Sequence, residues 1–281
     1  MRWSWLANAF SKLLRPGAGA LLLAGTLSAA LKAAGPRRAV AVKNLSIALP
    51  EAPPEKIKRL VNETYSHMVW VAEEFLILQR DPAQVLEWVA ADGADILSRY
   101  AKGGAILITG HVGNWEITAA WIAQSGYRVT AIVREPDDSE DRGLIGSMRR
   151  RAGVMCLPKS ATMKSAISIL KKGEFLGILP DQHGGDEGIM APFFGIETPT
   201  SRGPAFFAYT SGCPLIPIFS RRVAPFRHEI RIAPPIAWEK RATRDETLFG
   251  ITKLVNESIE RMILEAPGQW LAQHRRFREI Y

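Results

Sequence analysis

Two side chains in the segment ITGHVGNWE, residues 108–116, could do chemistry together: His111 and Glu116. Imidazole is the side chain best suited to take up a proton near pH 7. A carboxylate that accepts from one ring nitrogen fixes the tautomer and leaves the other nitrogen as a base. This is the histidine–carboxylate half of a catalytic triad. The sequence holds no G-x-S-x-G elbow to supply the nucleophile, and Ser147 in LIGSMRR has the wrong context for one. Without an enzyme nucleophile, the natural use of such a base is to deprotonate a substrate hydroxyl that attacks an acyl donor directly. Gly110 and Gly113 bracket His111 and allow close backbone approach, and Asn114 reads as a helix N-cap. Backbone N–H groups near Gly113 and Asn114 are candidate donors to an oxyanion. The same residues also read as a plain capped turn with a hydrogen-bonded histidine, and the segment alone leaves both readings open.

A second polar cluster, PDQHGGDEG, offers Asp181, Gln182, His183, Asp186 and Glu187. It contains no HExxH and matches no zinc spacing, and Cys156 and Cys213 lack CxxC neighbours. No metal and no cofactor is expected, and the cysteines read as buried structural thiols. A hydrolase, either a thioesterase or a metal-dependent enzyme using His111, Glu116, Asp181 and His183, stands as the alternative chemistry.

Elements of a definite kind must position these groups. The prolines of LPEAPPEK open a long helix with Ile57, Leu60, Val61, Thr64, Met68, Val71 and Phe75 on one face. From about Asp92, short apolar runs alternate with helical patterns. AILIT, VTAIV, VMCL and FLGILP read as strands bounded by Gly and Pro, with PLIPIF and HEIRI following and a final helix over Arg244 to Glu265. This pattern predicts an α/β fold: a mainly parallel central sheet flanked by helices. His111 then follows strand AILIT at its carboxyl end, the edge where open α/β sheets bind ligands.

The formal net charge of +8 draws acidic partners, and nothing in the arrangement of the basic residues resembles a nucleic-acid-binding module. At the N-terminus, Trp3, Leu6, Phe10 and Leu13 fall at helical spacing with Lys12 and Arg15 beside them. Residues 16–31 carry no charge, but this run is shorter than the about 20 residues a transmembrane helix needs. A cleaved leader, a weak single span, a buried helix pair and an interfacial anchor compete, and the tryptophans and basic flanks favour the anchor. The expected division is a membrane-anchoring arm over 1–50 and a catalytic domain over 51–281.

GHVGNWE resembles the HX4(D/E) motif of the glycerolipid and lysophospholipid acyltransferases. Together with SMRRRAG, LPDQHGG, APFFGIETPTSRGPAFFAYTSGCPLIPIF, QWLAQHRRFR and RRAVAVKNLSIALPE, it resembles the lipid A biosynthesis (lauroyl/myristoyl) acyltransferases across nearly the whole chain. The resemblance implies transfer of a fatty acyl chain from a thioester of acyl carrier protein or coenzyme A to a hydroxyl of an anionic membrane glycolipid. It implies a location at the membrane surface, the cytoplasmic face of a bacterial inner membrane. His111 matches the general base and Glu116 the partner that orients it. Arg149, beside Arg150 and Arg151, matches an active-site arginine. Asp181 and Gln182 match the DQ block, and Gly195, Thr200 and Gly203 match the block lining the site. Phe193, Phe194, Phe206 and Phe207 offer an acyl-chain lining or ordinary core. The basic C-terminal segment reads as a contact for lipid phosphates or acidic carrier protein, or as a solvated tail.

Overall fold

The Ala105–Ile108 run is buried at every position, as a strand covered on both faces must be. A computed structural model, describing residues 15–133, 139–158 and 162–280, shows how the rest of the chain covers it. In chain order the elements are α1 (Ala18–Ala34), α2 (Arg38–Ala48), α3 (Pro54–Leu78), α4 (Val85–Trp88), β1 (Val89–Asp92), α5 (Ala94–Tyr100) and β2 (Ala105–Ile108). Then come α6 (Trp115–Gln124), β3 (Val129–Val133), α7 (Ser139–Arg151), β4 (Met155–Pro158), α8 (Thr162–Lys171) and β5 (Phe175–Ile178). The chain ends through β6 (Ile189–Phe193), β7 (Ile196–Thr200), α9 (Gly203–Ser211), β8 (Leu215–Ala224), β9 (Arg227–Ile232) and α10 (Arg244–Glu265).

The central sheet has seven strands in the order β1-β9-β8-β2-β5-β3-β4. Every pairing is parallel except β8 with β9. The expected mainly parallel α/β sheet is therefore present. Alternation along β2 sends Ile106 and Ile108 into one apolar cluster and Ala105 and Leu107 into the other, so the sheet has a core on each face. The register between β2 and β5 places Ile108 opposite Ile178. Residues three beyond each, His111 and Asp181, therefore leave the same carboxyl edge side by side.

Helix α9 was not anticipated, nor was β1, added beside β9, nor the β6–β7 hairpin, which pairs outside the main sheet. Its two-residue turn has both φ values positive, at Phe194 (49°) and Gly195 (74°), the conformation a tight hairpin demands. Glu260 accepts from the Phe194 N–H at 2.7 Å and holds that residue in place.

At the N-terminus, α1 packs on α3 through Ala20, Ala24 and Ser28 and leaves Leu21, Leu22 and Leu27 outward, Leu22 being 72% exposed. Helix α2 follows at a bend of 94°. Among the described residues no single helix is long and apolar enough to cross a membrane. Ala41, Leu45 and Ala48 of α2 join the core, and the Asn44 side chain donates to the carbonyls of Ala272 and His274, each at 2.7 Å. Residues 38–48 thus pack with the sheet-bearing body. The amphipathic stretch with Trp3, Leu6, Phe10, Lys12 and Leu13 lies outside the described residues.

Candidate active site

The expected partner of His111 was Glu116; in the structure it is Asp181. Nδ1 of His111 lies 2.8 Å from Asp181 Oδ1, and the His111 backbone N–H donates to Oδ2 at 2.9 Å. Trp270 Nε1–H donates to Oδ2 at 3.3 Å. The Asp181 side chain is buried, whereas that of His111 is 21% exposed. Burial alone would raise the Asp181 carboxyl pKa; the His111 ring and N–H and the Trp270 indole outweigh it and hold the group below its usual range. An ionised carboxylate only accepts, so Nδ1 carries a hydrogen, and in the neutral ring Nε2 is the nitrogen with the lone pair. The His111 ring meets Trp115 edge-on with centroids 4.9 Å apart.

Glu116 is committed elsewhere. Asn114 caps α6 by accepting from the Ile117 N–H at 3.2 Å, which sets Glu116 in the first helical turn. There the carboxylate receives Arg149 Nε at 3.0 Å and Nη2 at 2.5 Å, a two-pronged ion pair, and Trp115 Nε1 at 3.2 Å. Burial works against the Arg149 cation, and Glu116 more than compensates. Of the RRR run, Arg149 makes this pair, while Arg150 and Arg151 are exposed. The physical reason for the exchange of partners is topological. Asp181 reaches the ring from the neighbouring strand, while the half-buried guanidinium at the end of α7 takes the carboxylate on α6.

One of the expected oxyanion donors is already engaged. The Gly113 N–H is used by the carbonyl of Gln269 at 3.0 Å. Gly113 has φ +62°, and a Cβ there would fall 1.7 Å from the Ser220 carbonyl oxygen, so the residue is required by packing. Asn114 is fully buried, and its Nδ2 donates to Glu74 at 2.9 Å. Gly195 sits in the hairpin turn. Thr200 is buried, bonded to Asn256 and Arg276. The Gln182 carbonyl accepts from Arg276 at 3.4 Å, and Gly203 begins α9. Arg276 thus ties Thr200 to the backbone of Gln182, the residue after Asp181. Phe193 and Phe207 belong to the core, with Phe194 and Phe206 packed against it.

The C-terminal segment is not a solvated tail. Trp270 and Leu271 run antiparallel to the His111 loop: Val112 bridges Trp270, and the Leu271 N–H donates to the His111 carbonyl at 2.8 Å. Arg276 is fully buried, donates to the Pro199 carbonyl at 2.5 Å and to Thr200 Oγ1 at 2.6 Å, and stacks on Phe193. Arg275 and Arg278 alone of its arginines face solvent. Nothing in the sequence marks a buried arginine inside a basic run. Cys213 is buried and Cys156 only half-buried, both as free thiols. Among the described residues no group of three or more His, Cys, Asp or Glu side chains is placed to hold a metal ion.

Residues 1–279 match the family described as bacterial lipid A biosynthesis acyltransferase. The chain is 23% identical over 254 residues to the lipid A biosynthesis palmitoleoyltransferase of Escherichia coli strain K12, covering 86% of this chain and 79% of that protein. It is 24% identical over 250 residues to the lipid A biosynthesis lauroyltransferase of the same organism, with the same coverage. It is 23% identical over 265 residues to a lipid A biosynthesis acyltransferase of Haemophilus influenzae, covering 90% of this chain and 81% of that protein.

Proposed function

We propose, for a chain that belongs to the bacterial lipid A biosynthesis acyltransferase family, an acyltransferase reaction run by His111 as general base. Nε2 of His111 takes the proton of the acceptor hydroxyl while that oxygen attacks the carbonyl carbon of an acyl thioester. The new C–O bond gives a tetrahedral oxyanion. Its collapse breaks the C–S bond, and the departing thiolate takes the proton back from the imidazolium. Asp181 holds the ring and stabilises the imidazolium. Arg149, fixed by Glu116, supplies positive charge for the oxyanion, a contribution typically worth about 3 kcal/mol.

The single observation that carries this reading is the 2.8 Å contact between His111 Nδ1 and Asp181, which leaves Nε2 as the ring's basic nitrogen. The donor is a thioester of acyl carrier protein or coenzyme A, and the acceptor a hydroxyl of a membrane glycolipid such as a lipid A precursor. The names of the relatives support a lipid A-type acceptor, and the net charge of +8 supports an anionic one. The location, as the resemblance implies, is the cytoplasmic face of the inner membrane; the outward Leu21, Leu22 and Leu27 of α1 support contact with a membrane surface, with α1 lying in the head-group layer.

The test is mass spectrometry of the acceptor after incubation with acyl thioester. His111→Ala should lower transfer by about 10²–10⁴-fold with the fold intact. Full transfer by that variant would overturn the base. Release of free fatty acid at the same rate without any acceptor would favour a hydrolase.

A further inference from the structure

Helix α3 buries His67 and Glu74, which the apolar stripe does not call for. They lie two turns apart on one face. His67 Nε2 is 2.9 Å from the carbonyl oxygen of Gly113, and its Nδ1 is 3.0 Å from Arg222 Nη2. A guanidinium only donates, so Nδ1 accepts and Nε2–H donates to Gly113. Burial, with Arg222 second, lowers the pKa of His67 to about 4, so this ring is neutral. Glu74 Oε2 receives Asn114 Nδ2 at 2.9 Å, and Oε1 receives the Phe226 N–H at 3.1 Å. His228 Nε2 lies 3.2 Å and Arg222 Nε 4.0 Å from the same carboxylate. Burial opposes its charge; His228, Arg222 and Asn114 together hold it ionised.

Two consecutive loop residues after His111 are therefore held from behind, one by its carbonyl and one by its side chain. The Trp270 strap holds the loop from the other side. Only glycine fits between these supports, since a Cβ at Gly113 would strike the Ser220 carbonyl.

We propose that His67 and Glu74 are positioning residues for acyl transfer: they fix Gly113 and Asn114, and through them His111 and the first turn of α6 with Glu116 and Arg149. The proposal rests on the reading of His111 as base. Neither residue meets a substrate in this scheme, so both act on kcat and leave KM nearly unchanged.

The experiment measures kcat, KM for each substrate and Tm on the full chain. The variants are His67→Gln, His67→Leu, Glu74→Asp, Tyr65→Phe and His111→Ala. A glutamine can still donate to Gly113 and accept from Arg222; a leucine of similar size can do neither. Glu74→Asp keeps the charge opposite Arg222 and withdraws it from Asn114. Tyr65→Phe removes a hydrogen bond of the same helix to the Pro36 carbonyl, away from the loop. Small displacements of a catalytic group cost up to about 10²-fold, so His67→Leu and Glu74→Asp should lose roughly ten- to a hundredfold in kcat. His67→Gln and Tyr65→Phe should stay near wild type. Wild-type kcat in both His67→Leu and Glu74→Asp overturns the proposal. So does an equal loss in His67→Gln and His67→Leu, or a loss in Tyr65→Phe as large as in His67→Leu. If His67→Leu does not fold, Glu74→Asp and His67→Gln decide. Activity in His111→Ala would instead overturn the base itself, and this proposal with it.

Discussion

At the scale of single residues, the site consists of two hydrogen-bonded pairs, each a buried carboxylate against a half-buried partner. His111 lies on Asp181 and Glu116 on Arg149. The second pair makes a coupling prediction. Glu116→Gln leaves Arg149 half-buried without its carboxylate, and Arg149→Gln leaves the reverse. Each should lower kcat, by about a hundredfold to a thousandfold on the scale of a lost preorganised donor. The double variant should cost little more than either single one, as in a double-mutant cycle for contacting groups. Fully additive losses would show that the two act independently. How much of this was legible in the sequence differs from residue to residue. His111 and the Asn114 cap could be read locally, since each belongs to one turn. The partner exchange could not, because Asp181 is seventy residues downstream and only the β2–β5 register brings it to the ring.

At the scale of elements, β2, β3, β4, β5, β8 and β9 and the long helices followed from apolar runs and their punctuation, and α10 spans the expected residues Arg244–Glu265. The C-terminal segment did not follow from its composition. QWLAQHRRFR looks like an exposed basic tail, yet Trp270 is 2% exposed and donates to Asp181. Burial of Arg276 likewise depends on carbonyls of the β6–β7 hairpin, which carries few strand signals in its sequence. The strap therefore makes its own prediction. Trp270→Phe keeps an aromatic ring in the core but removes the indole N–H from Asp181. We expect a loss of about 2–3 kcal/mol in stability from the missing hydrogen bond to the carboxylate and the smaller ring. We also expect a fall in kcat larger than that stability change alone would give. Urea unfolding and steady-state kinetics on the same preparation check both, and unchanged kcat would reduce the strap to packing.

At the scale of the whole molecule, the buried histidines tie stability to pH. His67 titrates near 6.5 unfolded and near 4 folded, and burial is the main cause. Between those values the unfolded chain binds a proton that the folded chain does not. Stability therefore falls as pH falls, by up to about 1.4 kcal/mol per pH unit for this group. His274, also lowered to about 4 by burial, acts in the same direction. Glu73, raised to about 7 by burial and the adjacent Glu74, acts in the opposite one. The comparison of wild type with His67→Gln cancels both. Unfolding free energies between pH 4.5 and 7 should show a shallower pH slope in the variant; equal slopes would mean that His67 is not held neutral.

The most direct test of the central claim is kcat for acyl transfer in Asp181→Asn beside wild type. An asparagine keeps the shape and removes the charge that fixes the His111 tautomer. With His111 as the base and Asp181 as its partner, kcat should fall by about 10²–10⁴-fold, while the protein stays folded. Wild-type kcat in folded Asp181→Asn would contradict the account.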